Sequence, residues 1–295
     1  FFKQKTAYEI STRDWSSDVC SSDLKLIFVA CADETGSYGE GRKGKGSCDL
    51  FYTKKSGGSW SNPVNLPGDV NTFHWETQPS LSADGKTLYF IRGMRGKGAD
   101  LSNSDIYVSR ITENGKWGVA ERLSNVINTP FAEESVCIHP DGKTLYFASR
   151  GHIGMGGSDI FVSQLDDMGN WSKPVNLGYP INTKFDENSL IVSAEGDLAF
   201  FASDRNGGFG DLDIYYFTLP DEFQPTKTYY FDGKVFDAVT KNPIGGHFQL
   251  KDIETGKIMV ISDADAINGT FTVPLPSNRQ YVIEVTYNGD RKSTR

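Results

Sequence analysis

The chain is poor in the side chains that most often hold metals or run catalysis. It has four histidines in 295 residues. His74, His139, His152 and His247 are too scattered for any pair to have metal-ligand spacing. No Gly-x-Ser-x-Gly elbow and no Walker-type phosphate loop occurs, which removes the common signatures of hydrolase nucleophiles and nucleotide sites. The run GRKGKG at 41–46 lies in a long loop between strand-like segments rather than ahead of a helix, so it lacks the context for cradling phosphate. Basic residues are outnumbered, 30 against 38, and the formal net charge is −8. That balance argues against a nucleic-acid partner, which needs a basic stripe. No apolar run is long enough to cross a bilayer as a helix. Of four cysteines, Cys31 and Cys48 bracket the loop 32–47 at the ends of adjacent strand-like runs. A disulfide there and two free thiols both stay open. Cys137, inside a strand-like run, is expected to be a small core residue. No cofactor and no metal is expected.

What is present is a repeat. EESVCIHPDGKTLYFASR at 133–150 has an earlier copy, ETQPSLSADGKTLYFIR at 76–92, and a later one, ENSLIVSAEGDLAFFAS at 187–203. A fourth copy starts part-way in at Lys25. Each copy is two apolar runs about a turn, with Asp84-Gly85, Asp141-Gly142 or Glu195-Gly196 at the turn, a hairpin signal. A Gly-rich loop follows, then a third strand that opens on Asp49, Asp105, Asp159 or Asp213. These four are spaced by 56, 54 and 54 residues. Next come Trp60, Trp117 or Trp171, and sixteen positions after each tryptophan stands Glu76, Glu133 or Glu187. An Asn-Thr pair lies between: Asn71-Thr72, Asn128-Thr129, Asn182-Thr183. A fixed period with four strands per unit predicts propeller blades, which bury their faces by stacking on one another.

PDGKTLYFASR at 140–150 with SDIF at 158–161 resembles the WD40-like propeller repeat of the TolB type, also called PD40. Copies cover about 25–220. The resulting expectation is an all-β chain: a partial β-propeller of about three and a half blades, followed by a small sandwich. Residues 221–228 read as a linker, with two prolines and no periodicity. Residues 229–289 resemble the carboxypeptidase-regulatory-like domain, a transthyretin-like β-sandwich. The matching residues are Gly233-Lys234-Val235, Thr240, Pro243-Ile244, Ser262-Asp263, Gly269-Thr270-Phe271 and Tyr281. The segment 264–268 lengthens the turn usual in that family.

The two ends read differently. Residues 1–24 carry no repeat, no strand pattern and no signal-peptide core. WSSDVCSSDL at 15–24 and DRKSTR at 290–295 resemble translated sequencing adapter. Both flanks, Cys20 included, are therefore expected to be artefactual and to make no repeat-type contacts, leaving a biological segment of 25–289. The innermost strand of the first blade would lie upstream of Lys25.

Propeller followed by sandwich resembles OmpA-family envelope proteins of Bacteroidetes type, some associated with type IX secretion. That resemblance implies a non-enzymatic scaffold in the periplasm, associated with the outer membrane. Its implied partner is an envelope protein, or peptidoglycan or another glycan through a further domain. The alternative is the propeller of a hydrolase, prolyl-oligopeptidase-like or glycan-acting. Repeated acids such as Glu76, Glu133 and Glu187 could line a channel. They read better as pairing backbone groups within each blade, since buried polar groups must be satisfied, and Asp105, Asp159 and Asp213 read the same way. The tryptophans read as packing between blades. Connections on one propeller face are short; those on the other, 32–47, 93–103, 151–157 and 204–211, are long and Gly-rich. Elaborated loops tend to recognise something. The long-loop face also carries Arg42, Lys43, Arg92, Arg95, Lys97, Arg150 and Arg205. These are the expected contacts for an acidic or polar partner, unless the arginines pair with blade acids instead. His139, at the place of Ser82 and Ser193, is expected at the surface.

Overall fold

The computed structural model describes residues 3–4, 25–39, 41–56, 59–95, 103–287 and 290–294. A two-residue strand, β1 (Lys3–Gln4), comes first. Four antiparallel sheets then follow in chain order. The first blade holds β2 (Lys25–Cys31) and β3 (Cys48–Ser56), with β4 (Ser59–Trp60) and β5 (Val64–Asn65) on the far edge of β3. The second holds β6 (Trp75–Leu81), β7 (Thr87–Gly93), β8 (Ser104–Arg110) and β9 (Glu121–Arg122), in that spatial order. The third repeats it with β10 (Glu133–Ile138), β11 (Thr144–Ser149), β12 (Asp159–Gln164) and β13 (Val175–Asn176). The fourth has β14 (Glu187–Val192), β15 (Leu198–Ser203) and β16 (Asp213–Thr218), and β1 pairs with β16.

These sheets stack as blades because neither face of a middle strand is polar. In β11, Thr144 through Ser149 are all buried, so the run must be covered on both sides. Each apolar cluster accordingly draws on two successive blades. Leu50 and Leu66 pack with Leu88, Phe90 and Tyr107. Tyr89, Ile91 and Ile106 pack with Val136, Leu145, Phe147 and Phe161. Tyr146 and Ile160 pack with Leu190, Phe201 and Tyr215. Burying a side chain of this size contributes about 1.5–3 kcal/mol.

The tight turns differ in detail from a two-residue hairpin. Ser82 N–H bonds the Thr87 carbonyl at 2.7 Å and His139 N–H that of Thr144 at 2.9 Å, so four residues lie between. Only the glycines take positive φ, 68° at Gly85 and 71° at Gly142. Asp84 and Asp141 instead turn their carboxylates back onto the amides of Lys86 and Lys143, at 3.0 and 2.9 Å. Short polar side chains stabilise turns in this way.

Cys31 lies opposite Cys48 in the β2–β3 register, and the two form a disulfide that closes a separation of 17 residues. Closing a loop of that length is worth about 3 kcal/mol. Cys31→Ser with Cys48→Ser is therefore expected to lower the free energy of unfolding in urea by about that much. A change under about 0.5 kcal/mol would mean the bridge constrains little. Cys137 is a free cysteine of β10. Burial pushes its thiol up to about 11, so it stays protonated and unreactive at neutral pH.

The second domain is a sandwich. β17 (Thr228–Lys234) pairs with β20 (Thr270–Pro276). The other sheet runs β19 (Ile258–Asp263), β18 (His247–Asp252), β21 (Tyr281–Tyr287), β22 (Asp290–Thr294). Phe248, Leu250, Val260, Phe271 and Val273 fill the space between them.

Three expectations change. Segment 221–228 is a strap rather than a plain linker. It opens on a 3-10 turn at Asp221–Phe223. The Phe223 carbonyl accepts from Tyr146 Oη at 2.7 Å, Thr226 N–H bonds Asp141 at 2.9 Å, and Lys227 pairs with Glu195 at 2.7 Å. Tyr146 and Asp141 belong to the third blade and Glu195 to the fourth, so the strap fixes the sandwich over the tight-turn face. A cleft of about 420 Å³ lies between them, with Asp84, Asp141 and Asp167 on one wall and Lys257, Met259 and Pro274 on the other.

Secondly, His139 is not at the surface. It is fully buried beside Asp141. Nε2 reaches the Ser193 carbonyl at 3.0 Å, and Nδ1 accepts the Asp141 N–H at 3.1 Å. A carbonyl can only accept, so Nε2 carries the hydrogen. An imidazole is long enough to bond the next blade's turn, which the serines at the equivalent positions are not.

Thirdly, the flanks do make strand contacts. Lys3–Gln4 lies against Tyr215 and Tyr216, and Asp290–Thr294 extends the β21 sheet. The edge of a sheet offers open N–H and C=O groups that pair with any extended backbone, whatever its origin. Residues 5–24 lie outside the described residues.

Candidate interaction face

The repeated Asn, Thr and Glu are internal fasteners. Asn128 Oδ1 accepts the Ile106 N–H at 2.8 Å, and its Nδ2 donates to the Ile106 carbonyl at 3.0 Å. Asn71 does the same to Leu50 and Asn182 to Ile160. The amide side chain thus acts as one more rung beside the preceding blade's third strand. The next residue faces forward. Thr72, Thr129 and Thr183 donate through Oγ1 to Glu76, Glu133 and Glu187 at 2.6, 2.9 and 2.8 Å. All three glutamates are fully buried. Each Asn-Thr therefore clips two neighbouring blades together, with the Glu that opens the inner strand as its anchor.

Serines tie the inner strands directly. Ser80 Oγ accepts from Ile138 N–H at 2.9 Å and Ser135 Oγ from Ser189 N–H at 3.0 Å. Both strand pairs shift register nearby, and Gln78 and Ser189 take positive φ, 50° and 55°. Trp117 packs on the cluster that joins blades one and two, and Trp171 meets Tyr89 of the second blade edge-on at 6.1 Å. Trp60 is 44% exposed.

The long loops are braced from beneath. Asp49, Asp159 and Asp213 accept the N–H of the residue four places earlier, Lys45, Met155 and Phe209, at 2.5, 2.7 and 2.7 Å. In the two later blades the glycine one place before lets the chain come that close, whereas Gly44 lies against the Tyr38 ring. A Cβ on Gly154 would lie 1.7 Å from Asp159 Oδ2, and one on Gly208 1.9 Å from Asp213 Oδ2. Asp105 instead pairs with Arg122 at 2.7 Å.

The arginines need correction. Arg92 is buried; it pairs with Glu76 at 2.9 Å, donates to the Val70 carbonyl at 2.7 Å and lies over Tyr107. Arg205 repeats this with Glu187 at 3.2 Å, the Ile181 carbonyl at 2.6 Å and Tyr215. Arg150 is spanned by Glu134 and Asp186, at 2.5 and 3.0 Å. Arg92 and Arg205 are thus structural cations, whereas Arg150 is exposed with its charge shared between two carboxylates. Arg42 donates to the Tyr38 carbonyl at 3.0 Å. Lys43 and Arg95 are exposed, and Lys97 lies outside the described residues.

This face also presents exposed apolar side chains, which residue-by-residue reading of charge missed. Ile153 is 96% exposed and Phe209 87%. Phe73, Met94, Phe131, Met155 and Leu212 are also exposed, and all stand in the long loops or in the connections between blades. The available signal was the residue four places before the repeated Asp: lysine, methionine or phenylalanine among glycines. Among the described residues no group of His, Cys, Asp or Glu could hold a metal ion, and no helix is long and apolar enough to cross a membrane.

No known protein family and no curated protein matches the chain by sequence. Several solved structures resemble it in outline. TolB from Acinetobacter baumannii superposes with a TM-score of 0.44 at 14% identity, over 92% of this chain and 52% of that one. An alpha-L-arabinofuranosidase from Lactobacillus brevis gives 0.38 at 13%, over 68% and 70%. Prolyl oligopeptidase B from Galerina marginata gives 0.36 at 11%, over 89% and 37%. The chain thus spans about half the length of the first of these.

Proposed function

We propose that this chain is a non-catalytic interaction module of the bacterial envelope, periplasmic and associated with the outer membrane, and that its long-loop face docks a protein. The supporting observation is the row of exposed apolar side chains on loops that the repeated aspartates brace. A patch of isoleucine, methionine, leucine and phenylalanine suits a protein surface. A sugar would call for hydrogen-bonding groups beside its stacking aromatics. The hydrolase reading is weakened because Glu76, Glu133 and Glu187, the repeated acids a catalytic channel would call on, are each committed to an Asn-Thr clip. The order of propeller and sandwich supports an OmpA-family type of envelope protein, of the kind associated with type IX secretion, in which a further domain would hold peptidoglycan.

The test is retention of the chain on isolated envelope material. Ile153→Ser, Met155→Ser and Phe209→Ser together are expected to cut retention at least about tenfold, equivalent to about 1.4 kcal/mol. The melting temperature should stay unchanged, because exposed side chains carry little stability. Charge reversal at Arg95 is expected to do little. Retention that survives protease treatment of the envelope material would point to glycan. Full retention by the triple variant would remove this face from the reading.

A further inference from the structure

The outer strands do not meet the repeated aspartates alike. Asp49 Oδ2 accepts from Asn65 Nδ2 and Asp105 Oδ1 from Arg122 Nη2, both at 2.7 Å. Each donor stands opposite the residue two places after its aspartate, Asn65 across from Phe51 and Arg122 across from Tyr107. Asn176 holds that place in the third blade, across from Phe161. Its oxygen is fixed as that of Asn65 is. Asn182 Nδ2 donates to Asn176 Oδ1 at 2.8 Å, as Asn71 Nδ2 does to Asn65 Oδ1 at 2.9 Å, and the Gly178 N–H adds a bond at 2.7 Å. The shared register and the shared anchor aim Asn176 Nδ2 towards Asp159, as they aim Asn65 Nδ2 towards Asp49. Yet Asp159 Oδ1 and Asn176 Nδ2 are both buried, and neither has a partner among the described residues.

We propose that a single buried water bridges Asp159 Oδ1 and Asn176 Nδ2 and is a fixed part of the third blade. The two atoms define what can join them. A carboxylate oxygen accepts and an amide nitrogen donates, so the bridge must donate to the one and accept from the other. Water does both. A metal ion or an ammonium group would suit Asp159 but face the amide hydrogens. An anion would suit the amide but face the carboxylate. Left bare, a buried acceptor and a buried donor would each forgo a bond, which folded proteins avoid. Buried waters serve such otherwise unsatisfied groups.

The loop amides show why the third blade differs from the first. In the first blade they are divided, Lys45 N–H going to Asp49 Oδ2 and Gly46 N–H to Oδ1. In the third both go to Oδ2, from Met155 at 2.7 Å and Gly156 at 3.2 Å, which leaves Oδ1 without a loop donor. The fourth blade repeats this, with Phe209 and Gly210 on Asp213 Oδ2 at 2.7 and 3.3 Å. Asp213 is half-buried, so solvent can serve its other oxygen. Asp159 is only 2% exposed, so the same service has to come from a water held inside. The bridge thereby links the outer strand β13 to the base of the loop that carries Ile153 and Met155.

The experiment is water-to-amide cross-relaxation by NMR on the whole chain, labelled with nitrogen-15 at asparagine alone. The Asn176 side-chain amide is expected to show water cross-peaks of opposite sign in the laboratory and rotating frames, the mark of a trapped water as against proton exchange. Asn128 is the reference and is expected to show none, being buried with its amide hydrogens spent on the Ile106 and Leu123 carbonyls. A crystal structure should place an ordered water within hydrogen-bond distance of both Asp159 Oδ1 and Asn176 Nδ2. Asn176→Arg copies the second blade's residue at this place, and its guanidinium should reach Asp159 directly and displace the water. Absence of the cross-peak at Asn176 in the native chain would overturn the proposal. So would a direct bond between Asn176 and Asp159 in the crystal, or a water retained at Asp159 Oδ1 in the folded Asn176→Arg variant.

Discussion

Asn128→Leu is expected to remove about 3–5 kcal/mol of stability, because it strands buried partners as well as deleting bonds. The native side chain satisfies the Ile106 N–H and the carbonyls of Ile106 and Leu123. Leucine fills the volume but leaves the N–H with nothing to bond. An unsatisfied buried polar group costs about 1–3 kcal/mol, and more than one is affected here. Asn128→Asp should fare no better, since it sets a second acceptor against two carbonyls. For a chain of this size the melting temperature should fall by roughly 10 °C. Urea unfolding checks the free energy. A loss under about 1 kcal/mol would show that the blades hold together by apolar packing alone.

Arg92→Met is the second large effect. It leaves Glu76, fully buried, without its cation. Breaking a buried pair from one side costs about 3–5 kcal/mol, since the remaining charge must be kept out of water unpaired. Arg92→Met with Glu76→Leu should recover much of that, because an apolar replacement of both partners is often neutral. A double-mutant cycle reads the difference. If the single and double variants proved equally unstable, the guanidinium would matter for its contacts with Phe90 and Tyr107 and not for its charge.

Equivalence between positions was legible from sequence; opposition across a seam was not. The period located the strands, the turn glycines and the register of Trp, Asn-Thr and Glu, because those features repeat along the chain. Their pairing in space is another matter. Arg150 meets Asp186 from 36 residues away, a distance at which no local pattern links them. Arg92 and Arg205 read as surface cations because nothing adjacent in sequence marks the carboxylate each one covers. His139 read as exposed because the two positions equivalent to it are small and polar; only the geometry shows the next blade's carbonyl within its reach. The strap at 221–228 has no periodicity, since backbone bonds to turns impose none. The apolar loop tips were hidden by the charged residues around them, although glycine and aspartate at fixed offsets marked where each tip would be held.

The clips also bear on how the molecule assembles. Each asparagine closes onto a strand 21 or 22 residues behind it, and each threonine onto a glutamate four residues ahead. Both distances are short, so the entropy lost in closing either loop is small and grows only slowly with length. A blade can therefore latch onto its predecessor once the predecessor's third strand and its own inner strand have formed, without waiting for the rest of the chain. Assembly would advance from the N-terminal side like a zip, in steps of one blade. Contacts that close short loops between neighbouring blades favour faster folding than more distant pairings would. Each emerging blade leaves its forward apolar face uncovered only until the next one arrives, which shortens the time during which a growing chain can meet another and aggregate.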